Sequence, residues 1–132
     1  MSEDLKKFLY RQLSNVDGLY AIVVSDRDGV PVLKIANEKA PDYTLRPAFL
    51  GTFTLATDQA SKLGYGRNKY IICSYSNYNI IKFNRQPLTV SFVTNSECNI
   101  GLILDLGEEL QEYLGGVKQA VADLSKTFYN AN

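Results

Sequence analysis

The residues from Gly18 to Ala36 constrain this chain more than any others. They form two apolar, β-branched runs on either side of Asp26-Arg27-Asp28-Gly29. An Asp-Gly pair in that setting predicts a hairpin, because Gly29 can adopt the positive φ that closes the turn. Leu19 to Val24 is apolar without alternation. Both faces of such a strand need cover, so it belongs in the middle of a sheet with helices on each side. The second run carries Pro31, which has no N–H to give a ladder and fits an edge strand or a strand's first residue.

Composition bounds what such a hairpin is part of. A chain of 132 residues fits one domain, 1–132, with room for a real core. An apolar fraction of 45% and a charged fraction of 21% are those of a soluble globular protein. No apolar run approaches the roughly 20 residues of a membrane span, and Met1 to Asp4 lacks the basic start of a signal peptide. Lys plus Arg equals Asp plus Glu at 14 each, so no net field draws the chain to nucleic acid or to anionic lipid. Histidine is absent, which removes the usual general base and the commonest neutral metal ligand. Cys73 and Cys98 stand far apart without paired ligand spacing and read as reduced thiols, with Cys73 a small buried hydrophobe. These features nominate no catalytic, cofactor or metal residue, and the chain is expected not to be an enzyme.

Around the hairpin, the spacing predicts a helix over Ser2 to Leu13, capped by Ser2, with Leu5, Phe8, Leu9 and Leu13 as one stripe. Asn37 to Thr44 reads as a polar loop. A second helix is predicted from about Arg46 to Leu63, its core face formed by Phe49, Phe53, Ala56, Ala60 and Leu63. The flanks Ala48, Gly51, Thr52, Thr54, Thr57 and Ser61 are all small, which leaves room for another helix to approach. Three strands follow: Asn68 to Tyr75, apolar on both faces at Tyr70-Ile71-Ile72-Cys73, then Tyr78 to Phe83, then Leu88 to Thr94. A last helix starts near Asn99 to Gly101 and keeps its spacing through Ile103, Leu106, Leu110, Leu114, Val117, Val121 and Leu124. Gly115-Gly116 offers a bend in it, and Tyr129 to Asn132 reads as a frayed tail.

Several motifs fall away on inspection. Asp26-Arg27-Asp28-Gly29 lacks the further oxygen ligands and the position-twelve Glu of a calcium loop, so the turn accounts for it. Gly64-Tyr65-Gly66 follows a helix rather than a strand and is no dinucleotide fingerprint. Asp105, Glu108, Glu109 and Glu112 read as a solvated face, and Lys62, Arg67 and Lys69 are too few for a nucleic-acid surface. Nine tyrosines, with Tyr70, Tyr75 and Tyr78 close together, fit either strand propensity or a protein interface.

The element order, the Ala-Ile-Val-Val-Ser-Asp-Arg-Asp-Gly-Val-Pro-Val hairpin and Asn-Ile-Gly-Leu-Ile at the start of the last helix resemble the roadblock family. Asp4-Leu5-Lys6-Lys7-Phe8-Leu9-Tyr10, Leu45-Arg46-Pro47, Leu55-Ala56-Thr57-Asp58-Gln59, Ser61-Lys62-Leu63-Gly64 and Phe83-Asn84-Arg85 are similar to its MEK-partner scaffold subunits in Ragulator (LAMTOR) complexes. The resemblance implies an α+β fold, an α/β/α sandwich of order α-β-β-α-β-β-β-α around a five-stranded antiparallel sheet ordered 2-1-5-4-3. It implies a domain core of about 4–125 and a short C-terminal tail. It makes Asn68 to Tyr75 an edge strand that a sister roadblock subunit covers. The implied interface is Thr52, Leu55, Ala56 and Gln59 on the helix with Asn68, Lys69, Tyr70, Ile71, Ile72 and Cys73 on the strand. The implied function is a non-catalytic adaptor without cofactor. Its partners would be the sister subunit, other Ragulator subunits, Rag GTPases and the MEK and ERK kinases, in MAPK and TOR signalling. The implied place is the cytosolic face of late endosomes and lysosomes, held there by a lipidated partner rather than by insertion, and also the cytoplasm. The alternative is a homodimeric regulator of a small GTPase with the same fold.

Overall fold

Asp26 organises the turn on which the fold is built. Its Oδ1 accepts from the backbone N–H of Asp28 at 2.9 Å and of Val30 at 3.0 Å, and Gly29 closes the turn with φ +86°. The computed structural model describes residues 2–42, 46–120 and 123, without the side chains of residues 2 and 47–50. The predicted Ser2 cap, the roles of Ala48 and Phe49, Thr44, the motif residue Leu45, Val121, Leu124 and the tail from Tyr129 lie outside those described residues. Element order is α1 (Ser2–Asn15), β1 (Leu19–Ser25), β2 (Pro31–Ala36), α2 (Pro47–Ser61), β3 (Tyr70–Ser74), β4 (Tyr78–Arg85), β5 (Leu88–Asn95) and α3 (Ile100–Leu110). The five strands form one antiparallel sheet ordered β2-β1-β5-β4-β3, as the resemblance implies. β1 is central and almost wholly buried, and Pro31 opens the edge strand β2.

Register makes the two faces of the sheet chemically different. On one face the cross-strand rows are Ile35–Ile22–Phe92–Ile81–Ile72 and Leu33–Val24–Val90–Phe83–Tyr70. They form the main core with Leu5, Phe8 and Leu9 of α1 and Ile103, Leu106 and Leu110 of α3. Gly107 brings α3 so near the sheet that a Cβ there would overlap the Phe83 ring. The opposite face has the apolar row Ala36–Ala21–Val93–Ile80–Cys73, but then Lys34–Val23–Ser91–Lys82–Ile71, and beyond it Ser25, Thr89 and Asn84. Alternation in a strand sends neighbouring residues to opposite faces, so one sheet carries an oily side and a mixed one.

α2 lies over the mixed side, and the structure corrects the predicted stripe. Phe53 and Thr57 are buried, but Ala56 and Leu63 are exposed and Ala60 only half-buried. Part of the small flank works inward through hydroxyls, while Thr52 stays exposed. Thr54 Oγ1 donates to Arg27 O at 2.7 Å, and Gly51 lets the helix sit against the backbone of Asp28. Thr57 Oγ1 lies 2.6 Å from Asn68 Oδ1, and Ser61 Oγ donates to Thr57 O and accepts from Asn68 N. The last helix is also interrupted where its periodicity predicts continuity. α3 ends at Leu110 and tightens into a 3-10 turn at Gln111–Tyr113, where Tyr113 stacks on Phe8 with ring centroids 4.3 Å apart. Helix resumes over 115–120, so the break precedes Gly115-Gly116 rather than falling on it.

Candidate partner-binding site

The two edges of the sheet are not equally finished. An edge strand offers unpaired N–H and C=O groups to any other chain unless something blunts it. β2 carries Pro31, an exposed Lys34 and an irregular register against β1 at Val24/Ser25. β3 has none of these devices: it reads Tyr70-Ile71-Ile72-Cys73-Ser74, regular in register against β4. Every cross-sheet row that reaches it from Tyr70 to Cys73 ends in an apolar side chain. Tyr70 and Ile72, at the ends of the two oily rows, are each 39% exposed.

The phase of the β3–β4 ladder follows from its two ends. Lys69 O accepts from Asn84 N at 2.8 Å, and Tyr78 O accepts from Tyr75 N at 2.8 Å. Antiparallel pairs alternate between hydrogen-bonded and non-bonded. The register Ile71↔Lys82 and Cys73↔Ile80 therefore aims the backbone groups of Ile71 and Cys73 inward at β4. Those of Tyr70, Ile72 and Ser74 point off the edge of the sheet.

The sequence-predicted residues divide accordingly. Thr52, Leu55, Ala56 and Gln59 are all exposed on α2, Leu55 at 66%. Ile71 and Cys73 are half-buried on the α2 side of β3, and Tyr70 and Ile72 are on the other. Lys69 is exposed just before the strand. Asn68 is drawn inward, since its side chain meets Thr57 and its carbonyl accepts from Asn84 Nδ2 at 3.0 Å. The strand thus begins two residues later than its apolar pattern predicts, because Asn68 ties the loop to α2. Thr52, Ala56, Ile71 and Cys73 come together around one cavity of about 120 Å³, completed by Phe53, Tyr75, Ile80 and Lys82.

Lys82 is the residue that reading the sequence missed. It is 6% exposed, and burial pushes its pKa down from 10.5 to about 8, against a weaker upward pull from the Cys73 sulfur. Its signal was its position between Ile81 and Phe83 in a strand buried on both faces. Arg85 is buried as well, and burial lowers the pKa of Lys118. Glu108 of the acidic stripe meets Arg85 at 3.3 Å, and Asp58 meets Arg27 at 3.6 Å with both side chains largely in solvent. Among the described residues no helix is long and apolar enough to cross a membrane.

Residues 3–121 match the family described as "Mitogen-activated protein kinase kinase 1 interacting". The chain is similar to a Xenopus laevis protein named Ragulator complex protein LAMTOR3-A, at 60% identity over 121 residues, 92% of this chain and 98% of that one. In fold it is similar to the gliding protein MglB of Thermus thermophilus, with a TM-score of 0.73 at 13% identity over 89% of this chain and 90% of that one. A roadblock/LC7 domain from Streptomyces avermitilis gives a TM-score of 0.69 at 12% identity, covering 82% of this chain and 92% of that one. At such identities the two bacterial likenesses speak for the fold alone.

Proposed function

Since the chain belongs to the mitogen-activated protein kinase kinase 1 interacting family and has the roadblock fold, we propose that it is a non-catalytic scaffold subunit of a Ragulator complex. The observation that carries this reading is the unfinished edge. β3 presents outward backbone groups and four apolar side chains beside an exposed helix face, which is what strand addition by a sister subunit requires. A sister roadblock domain that adds its own edge strand would extend the rows ending at Tyr70, Ile72, Ile71 and Cys73 into its own core. Stable interfaces of this kind bury on the order of 1,600 Å² or more in total. The unit that does this is one domain, 1–132.

On this reading the heterodimer, together with other Ragulator subunits, holds MEK and ERK near each other and helps to recruit Rag GTPases for TOR signalling. The mechanism is raised effective concentration, and it asks no bond-making of the chain. The complex sits at the cytosolic face of late endosomes and lysosomes through a lipidated partner, with a further pool in the cytoplasm. Affinity capture of the tagged full chain from detergent-solubilised cells, read by mass spectrometry, tests this. A second roadblock subunit with other Ragulator subunits and MEK is the expected result. Recovery of only further copies of this chain with a small GTPase would replace the reading by its rival.

A further inference from the structure

The end of β4 gathers three cations around one acid. Arg85 shares the α3 side of the sheet with Phe83, where it is 6% exposed and its guanidinium carbon lies 5.1 Å from the centre of the Phe83 ring. Arg67 enters from the loop before β3, which the Asn68 carbonyl ties to Asn84 Nδ2. Lys118 enters from the helical segment after α3, its N–H bonded to the carbonyl of the core residue Leu114. We propose that Arg85, Lys118 and Arg67 bind a phosphomonoester, presented as a phosphorylated side chain on a segment of a partner protein. This site stands apart from the cavity beside β3 and does not depend on strand addition there.

The hydrogen bonds of Arg85 leave one edge of its guanidinium half used. Nη1 donates to Asn84 O at 3.2 Å, Nη2 donates to Glu108 Oε1 at 3.3 Å, and the buried Nε has no acceptor. Nε and Nη2 together form the fork that two oxygens of one oxyanion take. Glu108 gives that fork a single oxygen, at a long distance, from a side chain that is 64% exposed. It marks the way in from solvent and can return to water as a ligand arrives. A buried donor without an acceptor is costly, so the second oxygen would satisfy a group that the chain leaves unsatisfied.

Charge decides between ligands. Among the described residues the side chains of Arg67 and Lys118 make no hydrogen bond or ion pair, and Glu108 is the one carboxylate paired with the cluster. Asp105, Glu109 and Glu112 pair with none of its members. Two positive charges are left over. Burial lowers the Lys118 pKa, and the charges of Arg85 and Arg67 lower it further, which sets both guanidiniums within range of the ammonium. A phosphomonoester carries about −1.5 to −2 charges at pH 7 and three acceptor oxygens. That suffices for the fork and the ammonium at once, whereas a carboxylate brings one charge. Depth decides between carriers. A flat layer of lipid headgroups does not reach a buried guanidinium, and a phosphate on a side chain does.

The test is NMR titration of the full chain at pH 7 with a short phosphoserine peptide, read at the Arg85 Nε–H resonance, beside the same peptide carrying glutamate instead. Phosphoserine should move that resonance saturably, and glutamate should bind about tenfold more weakly or worse. Lys118→Met and Arg67→Ala, at half-buried and exposed positions, should each weaken binding several-fold, and Glu108→Gln should strengthen it. Arg85→Lys keeps the charge but loses the fork and should weaken binding about tenfold or more. Should that variant fail to fold, the other three decide. A silent Nε–H, equal binding of glutamate, or weaker binding by Glu108→Gln overturns the proposal. So does binding confined to vesicles that contain phosphatidylinositol phosphate.

Discussion

Lys82→Met should make the isolated chain more stable, and by an amount that depends on pH. The folded chain holds Lys82 at a pKa of about 8, and the unfolded chain at its ordinary 10.5. Between those values the unfolded state binds more protons, so wild-type stability rises as pH rises through the window and is lowest below it. The shift corresponds to a penalty of about 3 kcal/mol at pH 7, falling to about half of that at pH 9.5. Methionine has a similar length, fits among Phe53, Ile71 and Ile80, and carries no charge to desolvate. Urea unfolding of both proteins at pH 7 and 9.5 reads the difference, and subtraction cancels every other titrating group. The variant should gain up to about 3 kcal/mol at pH 7 and markedly less at pH 9.5. A gain that does not change with pH, or a loss at pH 7, would refute the assignment of a charged Lys82 to a desolvating site.

Gly107→Ala should lower stability by about 1–3 kcal/mol and the Tm by several degrees, because the new methyl overlaps the Phe83 ring. An unchanged melting curve would mean α3 sits further from the sheet. Asp26→Ala should cost about 1 kcal/mol through the two lost turn bonds. Asp26→Asn, which keeps the acceptor oxygen, should recover most of it in the same unfolding assay. Thr54→Val removes the bond from α2 to Arg27 O. Hydrogen exchange should then quicken in α2 while the amides of β1 and β5 stay protected, and uniform quickening would contradict the local role.

The hairpin and the apolar rows were legible because they depend on a period of two and on turn chemistry, both written locally. Helix α2 was not. Its apolar spacing implied an oily partner, but the sheet on that side mixes Ser91, Lys82, Asn84 and Thr89 with its apolar row, so among the described residues the Thr54 and Thr57 hydroxyls tie it down beside the buried Phe53 ring. Register alone brings that polar floor together, and register is a long-range property. Asn68 read as the first strand residue because nothing local says that Thr57 and Ser61 will claim it. The apolar spacing of the last helix runs on through Leu124, while Tyr113 stacking on Phe8 belongs to a tertiary contact no window contains. The site residues on β3 were named as a block. Which of them point outward required the ladder phase set by Lys69 and Tyr75.

That phase supplies the most direct test of the interface. Proline removes one backbone donor, and in β3 the consequence depends on which side the donor faces. Ile72 N–H points off the edge, whereas Ile71 N–H belongs to the ladder with β4. Ile72→Pro should therefore leave the isolated chain folded, with a melting temperature near that of Ile72→Ala, yet abolish co-purification of the sister roadblock subunit. Ile71→Pro should damage the fold itself. If Ile72→Pro is folded and still recovers the sister subunit at the yield of Ile72→Ala, strand addition at β3 is wrong.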